Sequence, residues 1–321
     1  MSDAVRRIAD AVLYEGYLLW PYRRSAPKNQ QRFNFGCVMP PTWSAEHPDE
    51  GSQIATQLLI DGTEAPQVSV TLRFLQVVHR QITDQHGDPV DALTIDGETH
   101  LSWDEATERE ISGTGRFTIA AGARTESLGQ AAITHAWQML SGDVSAEIER
   151  LGPSRHRLSI VVHNTTPGAA WREAGPGTDG ALRTVALNTT FCSAHLVLRA
   201  TRGAFVSPLD AGAATACHHE RLWPVLVGDA PDQTTVLAAA IMLDEYPQVA
   251  PESPGDLFDG GEVDQLLTLN ILGMTDIEKA EMRASDPRAR AILERTEAMT
   301  ASDLMRLHGT FRDTIANRGM R

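Results

Sequence analysis

The chain has 321 residues, enough to bury one large core or two ordinary ones. Hydrophobic residues make up 42% of it and charged residues 22%, so a disordered or fibrous protein is excluded. The formal net charge of -14 repels the phosphate backbone of nucleic acid, which we do not expect as a partner. Arg23, Arg24, Lys28 and Arg32 could hold an anion locally, although we interpret them as a solvated turn.

The sequence indicates a cytoplasmic protein without a membrane span. No apolar run approaches the roughly 20 residues needed to cross a bilayer. Charged residues interrupt the early apolar stretch, which argues against a secretory signal. Cys37, Cys192 and Cys217 are widely spaced and form no C-x-x-C pair, so we expect reduced, partly buried thiols and no disulfide framework.

Aromatic and basic residues follow a short N-terminal helix. Residues 3–13 place Val5, Ile8 and Val12 at helical spacing, which predicts the helix. The mixture after it resembles the hot spot of a protein interface, where Tyr, Trp and Arg dominate. The candidate partner-binding residues are Tyr14, Glu15, Tyr17, Trp20, Tyr22, Arg23 and Arg24. The alternative is that the aromatic rings pack this segment onto the body of the protein, and the sequence favours neither.

The middle of the chain has the pattern of an antiparallel sandwich or barrel. In residues 68–82 the apolar residues occupy even-numbered positions up to Phe74 and odd-numbered positions from Leu75. This pattern predicts a strand with a bulge between Phe74 and Leu75. Hairpins are predicted around the turns at Gly203 and at Gly228-Asp229. A long, mobile loop is predicted over residues 167–180. Strands are predicted near residues 115–120, 157–163, 191–199, 204–207, 223–227 and 234–243.

After residue 250 the apolar period becomes helical. A connector rich in Pro and Gly precedes an apolar stripe from Val263 to Ile271. Helix starts are predicted at the Thr275/Glu278 capping box and at Asp286, and an amphipathic helix is predicted from Leu304 to Ile315. We therefore predict an α+β fold with an antiparallel β-sandwich-like body and a short N-terminal helix over residues 1–250, and a helical C-terminal segment over residues 251–321.

Four metal-binding residue types stand in a row at Cys217, His218, His219 and Glu220. Thiolate and imidazole suit zinc or nickel, so a site for either metal is one hypothesis. Neighbouring residues of an extended chain point to opposite faces, however, so at most two of the four reach one ion without a tight turn. An ordinary loop is the favoured alternative.

Two further groups of residues receive structural interpretations. Cys192 and His195 lie at odd spacing in a predicted strand, which places them on opposite faces, with Cys192 a buried thiol that shares its face with Ala194, Leu196 and Leu198. Acidic residues crowd together from Glu252 to Asp264. Carboxylates at this density could hold a hard cation. Acidic residues near a helix start also interact favourably with the helix dipole, and we favour this second interpretation.

Several segments resemble an uncharacterised bacterial family encoded beside uptake nickel-iron hydrogenases and their maturation proteins. The resemblance is carried by residues 14–36, 223–227, 250–259, 262–264, 266–269, 275–279 and 284–289. The chain departs from the family pattern before Trp223 and at Ala239-Ala240. The resemblance implies work in the same pathway as a hydrogenase.

The sequence contains no phosphate loop, dinucleotide fingerprint, H-E-x-x-H or G-x-S-x-G motif, so the common nucleotide-binding, metalloprotease and esterase signatures are missing. Three hypotheses about function remain open. The leading hypothesis is a non-catalytic accessory or assembly protein that binds a protein partner, such as a hydrogenase subunit or maturation factor, through its N-terminal aromatic segment. The second is a metal-dependent enzyme or metal carrier that uses Cys217, His218 and His219, with Glu15 or Asp256 as a further ligand brought near by folding. The third is a small-ligand-binding sandwich with its pocket between the β body and the helical end.

Overall fold

The computed structural model describes residues 2–30, 32–173, 178–248, 264–300 and 303. A helix, α1 (Asp3–Tyr14), opens the chain as predicted, with Ser2 as its N-cap. The other α-helices in the described residues are α2 (Pro41–Ser44), α3 (Ala170–Glu173), α4 (Asp179–Leu187), α5 (Ala211–Ala216), α6 (Asp264–Leu272), α7 (Asp276–Ser285) and α8 (Pro287–Glu297). Residues Pro27–Gln30 form a 3-10 helix. Within the described residues, no helix has both the length and the apolar character to cross a membrane.

Antiparallel strands make up the body, and all the strands predicted from the sequence are present. They are β1 (Gln53–Asp61), β2 (Gln67–Thr83), β3 (Pro89–Val90), β4 (Ala92–Ile95), β5 (Glu98–Leu101), β6 (Trp103–Ser112), β7 (Gly115–Ile119), β8 (Gly122–Leu128), β9 (Ala131–Trp137), β10 (Leu140–Arg150), β11 (Arg155–Asn164), β12 (Cys192–Arg202), β13 (Ala204–Phe205), β14 (His219–Glu220), β15 (Trp223–Leu226) and β16 (Thr235–Ala239).

Two antiparallel sheets pack together, so the predicted α+β fold with a sandwich-like body is confirmed. The first sheet has the order β13-β1-β11-β10-β7, with β14 also paired to β1. The second has the order β15-β16-β12-β2-β9-β8, with β3 and β6 also paired to β2. Strands β4 and β5 form a separate hairpin. The long β2 is the centre of the second sheet, because four strands pair with it.

Apolar side chains from both sheets fill the space between them. Val70, Leu72 and Phe74 of β2 meet Leu158 and Ile160 of β11 there. The Phe74 ring stacks on Phe191 with 4.6 Å between the ring centroids. We call this region the inter-sheet core.

Much of the opposite face of the second sheet is also covered. This explains why the apolar residues of β2 change from even-numbered to odd-numbered positions along the strand. Helix α1 covers part of this face with Val5 and Ala9. Another part is covered by the outer layer, which we define as residues 14–30 and 32–43 with α3, α4, α6, α7 and α8. Leu75 and Val77 face the outer layer. The predicted bulge at Phe74-Leu75 is wrong, because the pairing of β2 with β6 runs without interruption and both faces of β2 are simply buried.

The irregularity lies in β12 instead. Its pairing with β2 shifts between Cys192 and His195, where Ser193 has a positive φ of 51°. Cys192 opposes Leu75, whereas His195 opposes Arg73. The two side chains therefore share a face, and the prediction of opposite faces is wrong. Cys192 is fully buried as expected, but in the outer layer, while Ala194, Leu196 and Leu198 lie in the inter-sheet core.

Two loop predictions also need correction. Strands β12 and β13 form no hairpin, because β12 pairs in the second sheet and β13 in the first, so the chain changes sheets at Gly203. The turn at Gly228-Asp229 does lie in a hairpin, since β15 pairs with β16. Part of the predicted loop 167–180 is helical, and Trp171 of α3 is buried in the outer layer.

The predicted helix starts are confirmed at the C-terminal end. Thr275 and Glu278 form the capping box of α7. The Asp286 side chain accepts a hydrogen bond from the Arg288 backbone at the start of α8. The helix predicted from Leu304 to Ile315 and the acidic residues Glu252 to Glu262 lie outside the described residues.

Candidate functional site

A cleft of about 640 Å³ opens where the second sheet meets the outer layer. Its size falls in the range of small-molecule sites, about 300–1,000 Å³. The second sheet contributes Val77, Trp103 and Asp104, and the β4–β5 hairpin contributes Leu101. The segment before α2 contributes Arg24, Ser25, Asn29, Arg32 and Phe33, and the lining is completed by Asp91, Thr184, Leu187 and Glu281. Glu281 of α7 is the one residue of this lining that comes from the C-terminal helices.

Asn29 shapes the N-terminal wall of the cleft. Its side-chain amide accepts a hydrogen bond from the Leu19 backbone N–H at 2.8 Å and donates to the Leu19 and Arg23 carbonyl oxygens. The side chain is only 2% exposed, so these bonds satisfy a buried polar group. They close the loop from Leu19 to Asn29 and so hold Arg24 at the cleft.

Arg32 is a buried cation in the cleft wall. Its guanidinium carbon lies 3.9 Å from the centroid of the Trp103 ring and 5.1 Å from that of Phe33. The guanidinium also donates to the backbone carbonyls of Tyr17 and Asp104. Burial lowers the pKa of Arg32, because a cation loses its hydration there. Stacking and hydrogen bonds offset that loss and leave a rigid, charged wall. The prediction that Arg32 belongs to a solvated turn is wrong.

The remaining charges of the lining are paired. Asp104 bonds His79 at 2.7 Å, and this bond raises the pKa of His79. Glu281 accepts from the Ser25 backbone N–H at 2.9 Å. Arg24 lies 3.2 Å from an Asp91 carboxylate that is 88% exposed. An ion pair so open to solvent contributes little to stability, although Arg24 Nη1 also donates to the Asp91 backbone carbonyl at 2.9 Å.

The predicted partner-binding residues divide between core and surface. The rings of Tyr14, Tyr17 and Tyr22 are buried in the outer layer, which supports the packing alternative for these three. Glu15, Trp20, Arg23 and Arg24 are half-buried. Arg23 pairs with Glu278 and Glu281 of α7. Binding of a protein partner by this segment stays a prediction for its half-buried members.

Tyr17 connects the aromatic segment to the helical end. Its hydroxyl donates to Asp286 Oδ2 at 2.6 Å, and both side chains are buried. Burial and the neighbouring Asp286 charge raise the pKa of Tyr17, so the phenol keeps its proton. Nearby, the Tyr14 hydroxyl donates to Glu108 at 2.7 Å, and Arg288 lies over the Tyr14 ring. These contacts tie residues distant in sequence into one layer.

The residues proposed as metal ligands make other contacts. Cys217 caps α5, and His218 is exposed. His219 Nδ1 bonds Thr56 at 2.9 Å, and Glu220 accepts from Gln53 at 2.7 Å. In the part of the chain that the structure describes, no group of three or more His, Cys, Asp or Glu side chains is placed to hold a metal ion.

Cys192 and His195 form no pair despite their common face. His195 Nδ1 bonds the Ser193 carbonyl oxygen at 3.1 Å, and its Nε2 has no partner among the described residues. Burial lowers the pKa of His195 to about 4. The Cys192 thiol meets Cys37 instead.

Sequence reasoning did not find the cleft. Trp103, Val77 and Leu187 belong to no motif, and their apolar character signals only burial. Arg32 followed by Phe33 in an aromatic segment was the available signal, since a cation beside aromatic rings can stack when buried. No protein-family model matches the chain, and a search of curated proteins finds no match. The resemblance to the hydrogenase-associated family therefore stays a prediction.

Proposed function

We propose that this protein binds a small organic molecule in the cleft between the second sheet and the outer layer. The observation that carries the proposal is a cleft of about 640 Å³ with an aromatic and aliphatic wall stiffened by the buried, stacked Arg32. A rigid wall reduces the entropy lost on binding, which favours affinity.

The lining indicates the chemistry of the ligand. Phe33, Leu101 and Leu187 offer apolar surface to a flat, largely apolar body. Arg24 lines the cleft, and its ion pair with the exposed Asp91 carboxylate is weak. A carboxylate on the ligand can therefore gain a charge-assisted hydrogen bond from Arg24. We therefore expect small aromatic carboxylates to bind better than aromatic amines of the same size.

A thermal-unfolding screen of these two compound sets tests the proposal. A ligand at 100 times its dissociation constant should raise the free energy of unfolding by about 2.7 kcal/mol. Thr184→Trp on α4 should abolish the shift, because Thr184 is an exposed residue of the lining and the indole fills the cleft.

Thr215→Trp on α5 is the matched control. Both threonines are exposed, and each hydroxyl bonds the carbonyl four residues earlier in its helix. Thr215 does not line the cleft. Equal stabilisation of wild type and Thr184→Trp would place binding elsewhere, and stabilisation by the amines alone would overturn the assigned ligand charge.

A second candidate function is that of an accessory protein that binds a hydrogenase subunit or maturation factor. It is favoured by large apolar side chains exposed on the C-terminal helices, in segments that carry the resemblance to the hydrogenase-associated family. Ile277 is 82% exposed, Leu266 53% and Leu269 46%. Such residues, when close together, mark interaction surfaces.

Affinity capture from a native host distinguishes this function from ligand binding. The wild-type chain should retain a hydrogenase subunit or maturation factor, and Ile277→Lys should lose it. Met242→Lys is the control, since Met242 is also exposed, at 72%, but lies outside the helical segment. Repeated capture without either class of protein removes this candidate.

A further inference from the structure

Two cysteines far apart in sequence face each other across a short antiparallel bridge. Val38 and Phe191 exchange both backbone hydrogen bonds, at 3.0 and 3.2 Å. The next residues outward, Cys37 and Cys192, therefore occupy a directly opposed position without hydrogen bonds between their backbones. Beyond them, the Ala194 N–H donates to the Gly36 carbonyl at 2.8 Å, so the two segments stay together on that side as well.

This backbone position has the geometry that a disulfide requires. Opposed residues at non-hydrogen-bonded positions have Cα atoms about 4.5 Å apart and side chains on one face. Disulfides span Cα separations of about 4.4–6.8 Å. In the structure the two thiols are free, and each lies close enough to shift the pKa of the other. Closing the bond therefore requires rotation of the two side chains with little movement of the backbone.

The surroundings make the two thiols unequal. The Cys37 residue is partly exposed, and Arg183 Nη2 lies 3.9 Å from its sulfur. Arg183 is itself fixed by Glu50 at 2.7 Å and by the Phe33 carbonyl at 3.0 Å. Hydrogen bonding from Cys192, assisted by the Arg183 charge, lowers the pKa of Cys37 despite burial.

Cys192 has the opposite character. Its side chain is fully buried, and burial raises the pKa of its thiol. A partly exposed cysteine with a lowered thiol pKa beside a buried partner thiol is the arrangement found in redox-sensing cysteine pairs, in which one sulfur meets the oxidant and the other resolves the product.

We propose that Cys37 and Cys192 form a reversible, peroxide-sensitive disulfide pair. The Cys37 thiolate attacks one oxygen of hydrogen peroxide, the O–O bond breaks, and Cys37 sulfenic acid and hydroxide result, the latter taking a proton to form water. The Cys192 sulfur then attacks the Cys37 sulfur. An S–S bond forms, the S–O bond breaks, and the hydroxyl leaves as water with the Cys192 proton. Two thiols are oxidised and one peroxide is reduced to two waters.

Oxidation changes a contact of the cleft wall. The Cys37 thiol donates to the Phe33 carbonyl at 2.9 Å in the reduced protein, and Phe33 lines the cleft. The disulfide has no S–H, so this hydrogen bond is lost. The redox pair nevertheless exists independently of any ligand, and its test needs none.

Thiol titration of the full-length chain after treatment with hydrogen peroxide tests the proposal. The reduced protein should show three free thiols in denaturant, as its three cysteines require, and the oxidised protein one. Peptide mapping should find Cys37 joined to Cys192, with a mass lower by two hydrogen atoms, and dithiothreitol should restore both thiols. Retention of three thiols, or a bridge that includes Cys217, would overturn the pair.

Three serine variants separate the roles of the sulfurs. Cys37→Ser should lose thiols at least about tenfold more slowly than wild type, because it lacks the thiol whose pKa is lowered. Cys192→Ser should accumulate Cys37 sulfenic acid that dimedone traps. Cys217→Ser, the matched control, should still form the bridge.

If replacement of the buried Cys192 prevents folding, the wild-type peptide map and the Cys37→Ser variant still test the proposed disulfide pair. A Cys37→Ser chain that loses thiols at the wild-type rate contradicts the assignment of Cys37. Conversion of wild-type Cys37 to sulfinic acid without any bridge contradicts the assignment of Cys192 as its resolving partner.

Discussion

The two faces of the second sheet are buried by different means. The inter-sheet core presents apolar side chains from both sheets, with Phe74 and Phe191 stacked at its centre. The opposite face meets buried ions and hydrogen-bonded rings, among them Arg32, Arg73 and Asp286. Apolar packing needs only volume and shape, whereas a buried charge needs particular partners. The inter-sheet core therefore depends mainly on volume and shape, whereas the second face, which holds the proposed ligand cleft and thiol pair, also depends on particular polar partners.

Replacement of Phe74 by Ala should give the largest loss of stability. The ring is fully buried between Phe191 and Phe117, so its removal leaves a cavity that the sheets cannot close. We expect the free energy of unfolding to fall by about 3–5 kcal/mol in urea denaturation.

Leu209→Ala is the control for this loss. Leu209 is 62% exposed, so its replacement should change the free energy of unfolding by no more than about 0.5 kcal/mol. A Phe74→Ala loss below about 1 kcal/mol would mean that the inter-sheet core repacks easily, and the contrast between the two faces would fail.

Tyr17→Phe probes the polar side of the comparison and should have a smaller effect. The substitution keeps the ring but removes the hydroxyl that donates to Asp286, leaving that buried oxygen without its donor. Hydrogen bonds to charged groups contribute about 1.5–3 kcal/mol, so we expect a loss of about 2 kcal/mol. Urea denaturation measures it.

A double-mutant cycle with Asp286→Asn sharpens the result. Coupling between the two positions should account for most of the Tyr17→Phe loss. Tyr246→Phe, at a half-buried ring, is the control and should change stability by no more than about 0.5 kcal/mol. If the cycle finds no coupling, the Tyr17–Asp286 bond does not stabilise the outer layer.

Local sequence patterns predicted the parts of this fold that depend on local structure. The Thr275/Glu278 capping box and the Asp286 cap lie within a few residues of the helix starts that they define, so they were predicted correctly. Strands β1, β3, β4, β5, β6, β8, β9, β10 and β14 were missed, and β8 and β10 illustrate one reason. Strand β8 is exposed along most of its length and β10 along its second half, so their sequences carry no sustained apolar alternation.

The functional face could not be predicted because tertiary contacts create it. A left-handed backbone at Ser193, invisible in the residue type, puts Cys192 and His195 on one face. The Cys37–Cys192 contact depends on the bridge between Val38 and Phe191, which joins distant segments. In the same way, Arg32 and Trp103 come together only when the aromatic segment packs on β6.

His195 provides the smallest expected effect and tests whether the second face disfavours an additional charge. Burial lowers its pKa to about 4, below that of a histidine in the unfolded chain, and the neighbouring Arg73 charge acts in the same direction. As the pH falls, the unfolded chain therefore gains this proton first. We expect this site to lower the free energy of unfolding by about 1.4 kcal/mol between about pH 7.5 and 5.5.

His195→Leu isolates this contribution from that of the other titrating groups. Leucine lacks the titrating ring, so the stability of the variant should decline less over the same pH range, even though the Ser193 carbonyl loses its bond. His218→Leu, at an exposed histidine, should keep the wild-type dependence. Parallel pH profiles for wild type and His195→Leu would show that His195 gains its proton as readily when folded as when unfolded. The ring would then have access to water or to a carboxylate such as Asp10, which bonds the adjacent Arg73 at 2.5 Å, and the face beneath α1 would not be a low-dielectric interior.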